Sequence, residues 1–277
     1  MQGTKKNNYK LSSFYFHLQQ WSIPPHWYLR YRAVTAVVLV AWLAVDMSYE
    51  TRTFFSDEAI LWTIFATNWS FLIIAITAVV LAVTSWVHWY KPYWIIDPIH
   101  IRAMPYSLKL QWLLYNISGC SALVVSAGYW GYVAFVSDSL LVTSHMSRLK
   151  HTANSVYVIL DLFITATPIR IQHMFFTIFM ASLYISNDRC CFFSLPIILL
   201  GNEHGYYFVN WKDPVEAICT CVLGLMMVVL AQFVLHFLYL MRRWIHGKYA
   251  AAYDKFGQDS EMQNIMSRSS TYSSMQE

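Results

Sequence analysis

Six long apolar segments, separated by short polar stretches, restrict this chain to one class of fold. They run from about Ala33 to Met47, Ala59 to Trp89, Leu110 to Val136, Thr152 to Pro168, His173 to Leu200 with a polar interruption, and Val215 to Met241. A helix needs about 20 apolar residues to cross about 30 Å of hydrocarbon, and the second, third and sixth segments exceed that length. Hydrophobic residues make up 57% of the chain and charged residues 12%, whereas charged residues reach about a quarter in soluble domains. These features predict an all-α, polytopic transmembrane helical bundle of about six spans.

The cations give the bundle a direction. Of the 19 Lys and Arg residues, only Arg52, Arg148, Lys150, Arg189 and Lys212 fall in the odd-numbered connections. The others sit in the tails and the even-numbered connections, among them Lys5, Lys6, Lys10, Arg30, Arg32, Lys91, Lys109, Arg242 and Arg243. By the positive-inside rule both termini are cytoplasmic. Trp21, Trp27, Trp86, Trp89, Trp94, Trp211 and Trp244 lie where spans meet headgroups, the depth that amphipathic rings favour. Three regions follow: a cytoplasmic N-terminal tail (1–30), a membrane domain (31–244) and a cytoplasmic C-terminal tail (245–277). The last is rich in Ser, Thr, Gln and Asn and is expected to be disordered. Pro24-Pro25 leads into the first span, and with no short apolar core before it we expect no cleaved signal peptide. The net charge of +4 is accounted for by cations at anionic headgroups and implies no nucleic acid. The expected setting is the bilayer of the plasma membrane or endoplasmic reticulum, with other membrane proteins as candidate partners.

The fifth segment is interrupted at Asn187-Asp188-Arg189, which predicts a crossing ending near Ile185 and then a stretch on the outer surface. Cys120 reads as a small hydrophobe in mid-span. Cys190 or Cys191 lies on the same side as Cys219 and Cys221, so one bridge between the pairs is open. The sequons at Asn68 and Asn116 fall within spans, out of reach of glycosylation. No phosphate loop, metal-ligand spacing or nucleotide fingerprint is present, and no metal or cofactor is expected.

Polar residues at membrane depth are the best functional clue, because each is costly there. At about 100° per residue, Asn154, Asp161 and Thr165 fall on one face of the fourth segment with His151. Thr63, Thr67, Ser70, Thr77, Thr84 and His88 form a second stripe on the second segment, with Asn68 off it and turned toward another helix. Thr67 and His151 enter from the same, non-cytoplasmic side. A hydroxyl beside an imidazole base can attack an acyl carbon. Asp161 is about 15 Å further along its helix by rise, too far to orient the imidazole as a third member. The competing reading is that both stripes are interhelical hydrogen bonds, each worth about 1 kcal/mol or less. Gln232 and His236, one turn apart in the last segment, are open to the same two readings.

The stretch Lys150-His-Thr-Ala-Asn-Ser-Val-Tyr-Val-Ile-Leu-Asp-Leu-Phe-Ile-Thr-Ala-Thr-Pro-Ile-Arg-Ile-Gln-His173 resembles the rolling stone family of animal membrane proteins. Thr67-Asn-Trp-Ser-Phe71, the region from Trp112 to Asn116, and Asn210-Trp-Lys-Asp-Pro214 agree with it. The resemblance implies a role in cell fusion, in particular myoblast fusion during muscle development. That family is similar in turn to the androgen-induced membrane hydrolases, which cleave fatty-acid esters of hydroxy fatty acids with Thr and His. The likeness puts those catalytic roles on Thr67 and His151; on the reading of the stripes as a site, Asn154, Asp161, Thr165, Thr63 and Ser70 line its cavity. Two functions therefore stand: a non-enzymatic membrane factor acting in fusion, and an intramembrane hydrolase of fatty-acyl esters. Stripes facing each other across a cavity favour the hydrolase, and stripes buried against other helices favour packing.

Overall fold

The computed structural model describes residues 21, 24–55, 62–63, 65–91, 106–136, 140–194 and 213–273. All described elements are helical, and six long helices match the six apolar segments. They are α1 (Pro25–Phe54), α2 (Ala66–Tyr90), α3 (Tyr106–Gly128), α4 (His145–Ile164), α5 (Met174–Ser194) and α6 (Pro214–Ser273). α3 continues through a π-helical turn, Tyr129–Val133. The chain divides into two compact units, residues 1–236 and 237–277.

Local chemistry sets the helix ends. α1 begins with Pro25 in its first turn, where a missing N–H costs nothing and the fixed φ suits a helix. Its start therefore lies ahead of Ala33, within the stretch assigned to the tail. Ser144 caps α4 by accepting from the Ser147 N–H at 3.2 Å. The fourth helix accordingly starts at His145, a turn or more before Thr152. It stops at Ile164, where Thr165 turns extended (φ −86°, ψ 143°), and Pro168, which lacks an N–H and disfavours the helical region at Thr167 before it, keeps the helix from resuming. Asp213 Oδ1 accepts from the Val215 N–H at 2.9 Å and Pro214 occupies the first turn, a paired start signal for α6.

In the first unit the close backbone packing runs α1 on α2, α2 on α3, α3 on α4, and α5 on α3. Trp42 of α1 meets Phe71 of α2 edge-on at 4.9 Å. Phe55 and Trp62 form a small buried cluster where α1 gives way to α2, with Leu43, Phe65 and Leu141 against it. At Gly119 of α3, an added Cβ would lie 3.3 Å from Leu235 and 3.4 Å from Val158. Glycine there lets side chains of α4 and α6 close on α3. Val34, Val37, Val38 and Val45 of α1, and Ile218, Leu223, Met226 and Phe233 of α6, are exposed, as faces turned to lipid are. In the second unit Arg242 and Arg243 flank the Tyr239 ring, and Lys248 lies over Trp244.

Four helices are long and apolar enough to cross a membrane: Pro25–Phe54, Ala66–Tyr90, Tyr106–Val133 and Pro214–Ala252. That is fewer than the expected six. α4 falls short because it carries Arg148, Lys150 and Asp161, and the apolar part of the fifth helix, Ile171–Ser186, is short. The expected break at Asn187-Asp188-Arg189 is not there: α5 is helical through to Ser194. Polar side chains end the apolar character of a segment without breaking its hydrogen-bond ladder. The rest of the outer stretch, residues 195–212, lies outside the described residues, as do residues 92–105 and most of the N-terminal tail. The side chains of Cys190 and Cys191, and with them the open disulfide bridge, also lie outside the described residues; among those residues Cys219 has no disulfide partner. The last helix runs on to Ser273, into the segment read as a disordered tail. The Ala250–Ala252 run at the end of the apolar stretch is strongly helix-forming.

Candidate functional site

Two buried ionic clusters join α1 to α4. In the first, Arg32 is fully buried. Its Nη1 lies 2.6 Å from Asp161 Oδ1, and its Nε and Nη2 donate to the Tyr28 hydroxyl at 3.0 and 2.9 Å. Nη2 also donates to Thr165 Oγ1. Asp161 accepts further bonds from Tyr31 at 2.6 Å and Thr165 at 3.2 Å. A guanidinium and a carboxylate are tolerated at this depth because each meets the other and the remaining polar atoms have partners.

The second cluster lies at the other ends of the same helices. Lys150 Nζ donates to Asp46 Oδ2 at 2.8 Å, Glu50 Oε1 at 2.7 Å and Asn68 Oδ1 at 2.7 Å. These bonds use all three ammonium donors. The Asn68 amide donates to Glu50 Oε2 at 3.2 Å and to the Trp62 carbonyl at 2.8 Å. The off-stripe position of Asn68 is thereby explained, and its sequon is buried. Asn116, in the other sequon, is buried as well, its amide donating to the Trp112 carbonyl at 2.8 Å.

The polar stripe of α2 makes its interhelical hydrogen bonds to α3, and Thr77 also lines a small cavity shared with Asp161 of α4. Ser70 lies 3.3 Å from the Ser121 hydroxyl. Thr77 donates to the Ile73 carbonyl at 2.7 Å, with the Leu114 carbonyl 3.3 Å away. The Thr84 hydroxyl lies 2.7 Å from both the Val80 carbonyl and Gln111 Oε1. Thr63 precedes the helix, and its carbonyl accepts from Trp69 Nε1 at 2.6 Å.

Thr67 and His151 are both buried, but among the described residues no hydrogen bond joins them. The His151 ring stacks flat on Tyr129, in the π turn of α3, with centroids 3.8 Å apart and planes 8° apart. Its Nδ1 has no hydrogen-bond partner, and neither has Asn154 Oδ1. Ser126 anchors the same turn of α4 by donating to the His151 carbonyl. A cavity lined by Ile74, Thr77, Tyr115, Tyr157 and Asp161, among others, has room for about one water molecule. Neither Thr67 nor His151 lines it. The structure therefore brings Asp161 and Thr165 together around Arg32, and joins the chain neighbours of Thr67 and His151, Asn68 and Lys150, by a hydrogen bond of 2.7 Å.

Sequence reasoning missed a third group. Between α4 and α5 the chain from Ala166 to Ile169 lies outside the helices and is largely buried, which exposes its carbonyls to an apolar interior. Trp112 Nε1 donates to the Pro168 carbonyl at 2.5 Å, His236 Nδ1 to Ile169 at 2.9 Å and Gln232 Nε2 to Arg170 at 2.9 Å. The last-helix pair is thus used in capping this crossover. The available signal was Pro168 itself, since a helix stopped inside a membrane needs donors from elsewhere. Among the described residues no group of three or more His, Cys, Asp and Glu side chains is placed to hold a metal.

A family model described as Protein rolling stone matches residues 6–257. Protein rolling stone of Drosophila melanogaster is 26% identical over 195 residues, which covers 69% of this chain and 70% of that protein. No solved structure matches.

Proposed function

Since the chain belongs to the rolling stone family, we propose that it acts as a six-span, non-enzymatic membrane factor in cell fusion, with both termini in the cytoplasm. The fusion role, that of myoblasts in developing muscle, comes from the family resemblance. Fusion places its site of action at the plasma membrane, beside other membrane proteins. One observation favours a scaffold over an enzyme: Ser70, Thr77 and Thr84 of the α2 stripe commit their hydroxyls to hydrogen bonds with α3. These hydroxyls support packing in the manner of interhelical hydrogen bonds.

Support for six crossings comes from α4. Its 20 residues reach about 30 Å by helical rise, and its buried Lys150 and Asp161 have their partners inside the bundle. Charges so paired are compatible with membrane depth. Epitope tags at the two ends test the topology: both should need membrane permeabilisation to be stained, and a tag stained on intact cells refutes it.

The second reading, the intramembrane hydrolase, keeps one supporting observation. His151 Nδ1 is buried without a partner, as a base awaiting a substrate is, with Thr67 the nucleophile the resemblance names. The deciding experiment offers a panel of fatty-acyl esters to the purified protein in micelles, beside Thr67→Ala and His151→Ala. It is paired with rescue of fusion in depleted myoblasts by the same three proteins. We expect no turnover above the variants and equal rescue by all three. Turnover abolished by both substitutions, together with lost rescue, establishes the hydrolase. Failure of the unaltered protein to support fusion refutes the primary reading.

A further inference from the structure

Three buried charges at one end of the bundle do not balance. Asp46 and Glu50 come from adjacent turns of α1 and Lys150 from α4, while α2 contributes only the neutral amide of Asn68. Asp46 is 3% exposed, Glu50 6% and Lys150 2%. With every group ionised the cluster carries one net negative charge, in surroundings where an unmatched charge is far more costly than a bound counter-charge. The hydrogen bonds show where the gap lies. Lys150 has no donor left, and both Glu50 oxygens are engaged, by Lys150 and Asn68. Asp46 Oδ1 is buried and receives no hydrogen bond, although its sister oxygen touches Lys150.

The missing charge is small. Hard metal cations take six or more oxygen ligands, and among the described residues no set of three or more acidic, His or Cys side chains is grouped to supply them. A proton needs no such shell. We propose that the Asp46–Glu50–Asn68–Lys150 cluster is a proton-binding site, in which one proton held by the two carboxyl groups brings the buried charge to zero. Carboxyl groups this close titrate as a pair, so the proton belongs to the pair and not to either residue. The other titratable group beside it is His151, which follows Lys150 on α4, interacts with its charge and is stacked on Tyr129 of α3. Because the cluster ties α1, α2 and α4 together, occupancy by the proton sets how tightly these helices hold. The site is independent of the fusion and hydrolase readings, neither of which uses Asp46 or Glu50.

The test follows the unfolding equilibrium of the full-length protein in micelles from about pH 5 to about pH 8, above the value near 4 at which unfolded carboxyl groups ionise. Over that window the folded protein holds a proton that the unfolded chain has lost, so stability falls as pH rises. For one proton the unfolding constant grows by up to about tenfold per pH unit. Asp46→Asn leaves a balanced Lys150–Glu50 pair and should flatten this slope. His151→Phe, which removes the neighbouring titratable ring, should leave the slope unchanged between about pH 7 and about pH 8, above the range in which an unfolded imidazole takes up a proton. A second readout is the infrared band of a protonated carboxyl group at neutral pH, present in the unaltered protein and absent from Asp46→Asn; Glu50→Gln takes its place should Asp46→Asn fail to fold. Equal slopes in the unaltered protein and the carboxyl variant, with no such band, overturn the proposal. So does recovery of alkaline stability by sodium chloride but not by choline chloride, which assigns the site to a metal cation.

Discussion

Replacing Asp161 with leucine removes the carboxylate that faces Arg32 and leaves the guanidinium fully buried with only the hydroxyls of Tyr28 and Thr165 around it. Breaking a buried pair from one side costs about 3–5 kcal/mol, because the surviving charge keeps its desolvation penalty without its partner. Tyr31 also loses its acceptor, but it is half-exposed and water offsets most of that loss. Removing both charges is different. Arg32→Met with Asp161→Leu leaves no buried charge, only the hydroxyls of Tyr28, Tyr31 and Thr165 without their charged partners, a smaller loss than one stranded charge. The double variant should therefore be more stable than either single variant, an inversion that no additive scheme produces. Reversible unfolding in mixed micelles of rising sodium dodecyl sulfate content measures all four corners of the cycle. An Asp161→Leu cost below about 1 kcal/mol would mean that the pair is solvated like a surface bridge. A double variant as unstable as the two singles combined would mean that Arg32 and Asp161 are not coupled at all.

Lys150→Met should cost more than Asp46→Asn, since it strands two buried carboxyl groups where the other leaves a balanced pair; thermal unfolding at neutral pH orders them, and equal losses count against the cluster as described. His236→Phe deprives the Ile169 carbonyl of its donor and should cost about 1–3 kcal/mol, whereas Gln232→Leu leaves the Arg170 carbonyl with the His173 N–H and should cost less. A loss near zero for His236→Phe would show that the Ile169 carbonyl reaches water. His151→Phe keeps a ring on Tyr129 and removes the unpartnered Nδ1. It should change stability by less than about 1 kcal/mol, and a loss of several kcal/mol would place an unseen partner on that nitrogen.

Hydrophobic periodicity and length were enough to locate all six helices, because a run of apolar residues depends only on its own sequence. Helix ends were harder to read. α4 starts before Thr152 because Ser144 caps it, and a polar first turn does not register as part of an apolar segment. The ionic clusters were the least legible. Arg32 and Lys150 were both read as loop charges that orient the chain, yet both are buried within helices. Asp46 and Glu50 drew no attention, although they lie one turn apart on the same face. A charge at the end of an apolar run reads alike whether it reaches water or a carboxylate far away in the chain, and Arg32 and Asp161 are separated by 129 positions. The wheel on α2 did turn Asn68 away from its neighbours. What it could not supply was the helix that the remaining stripe faces, since periodicity gives a direction around one helix and no information about the next.

The two clusters also bear on how the protein is made. Along both α1 and α4 a cation comes first and carboxylates follow, so their charges match only if the helices run antiparallel. A parallel arrangement sets Lys150 against Arg32, and Asp161 against Asp46 and Glu50. An arrangement in which one of the two helices is reversed is thereby disfavoured electrostatically. Correct insertion carries its own demand, because Asp46 precedes Lys150 by 104 positions. At about 5–20 residues per second, the first helix waits roughly 5–20 s with three charges unmatched before its partner is synthesised. During that interval the nascent chain depends on the insertion machinery, or on the water within it, to solvate what α4 will later neutralise.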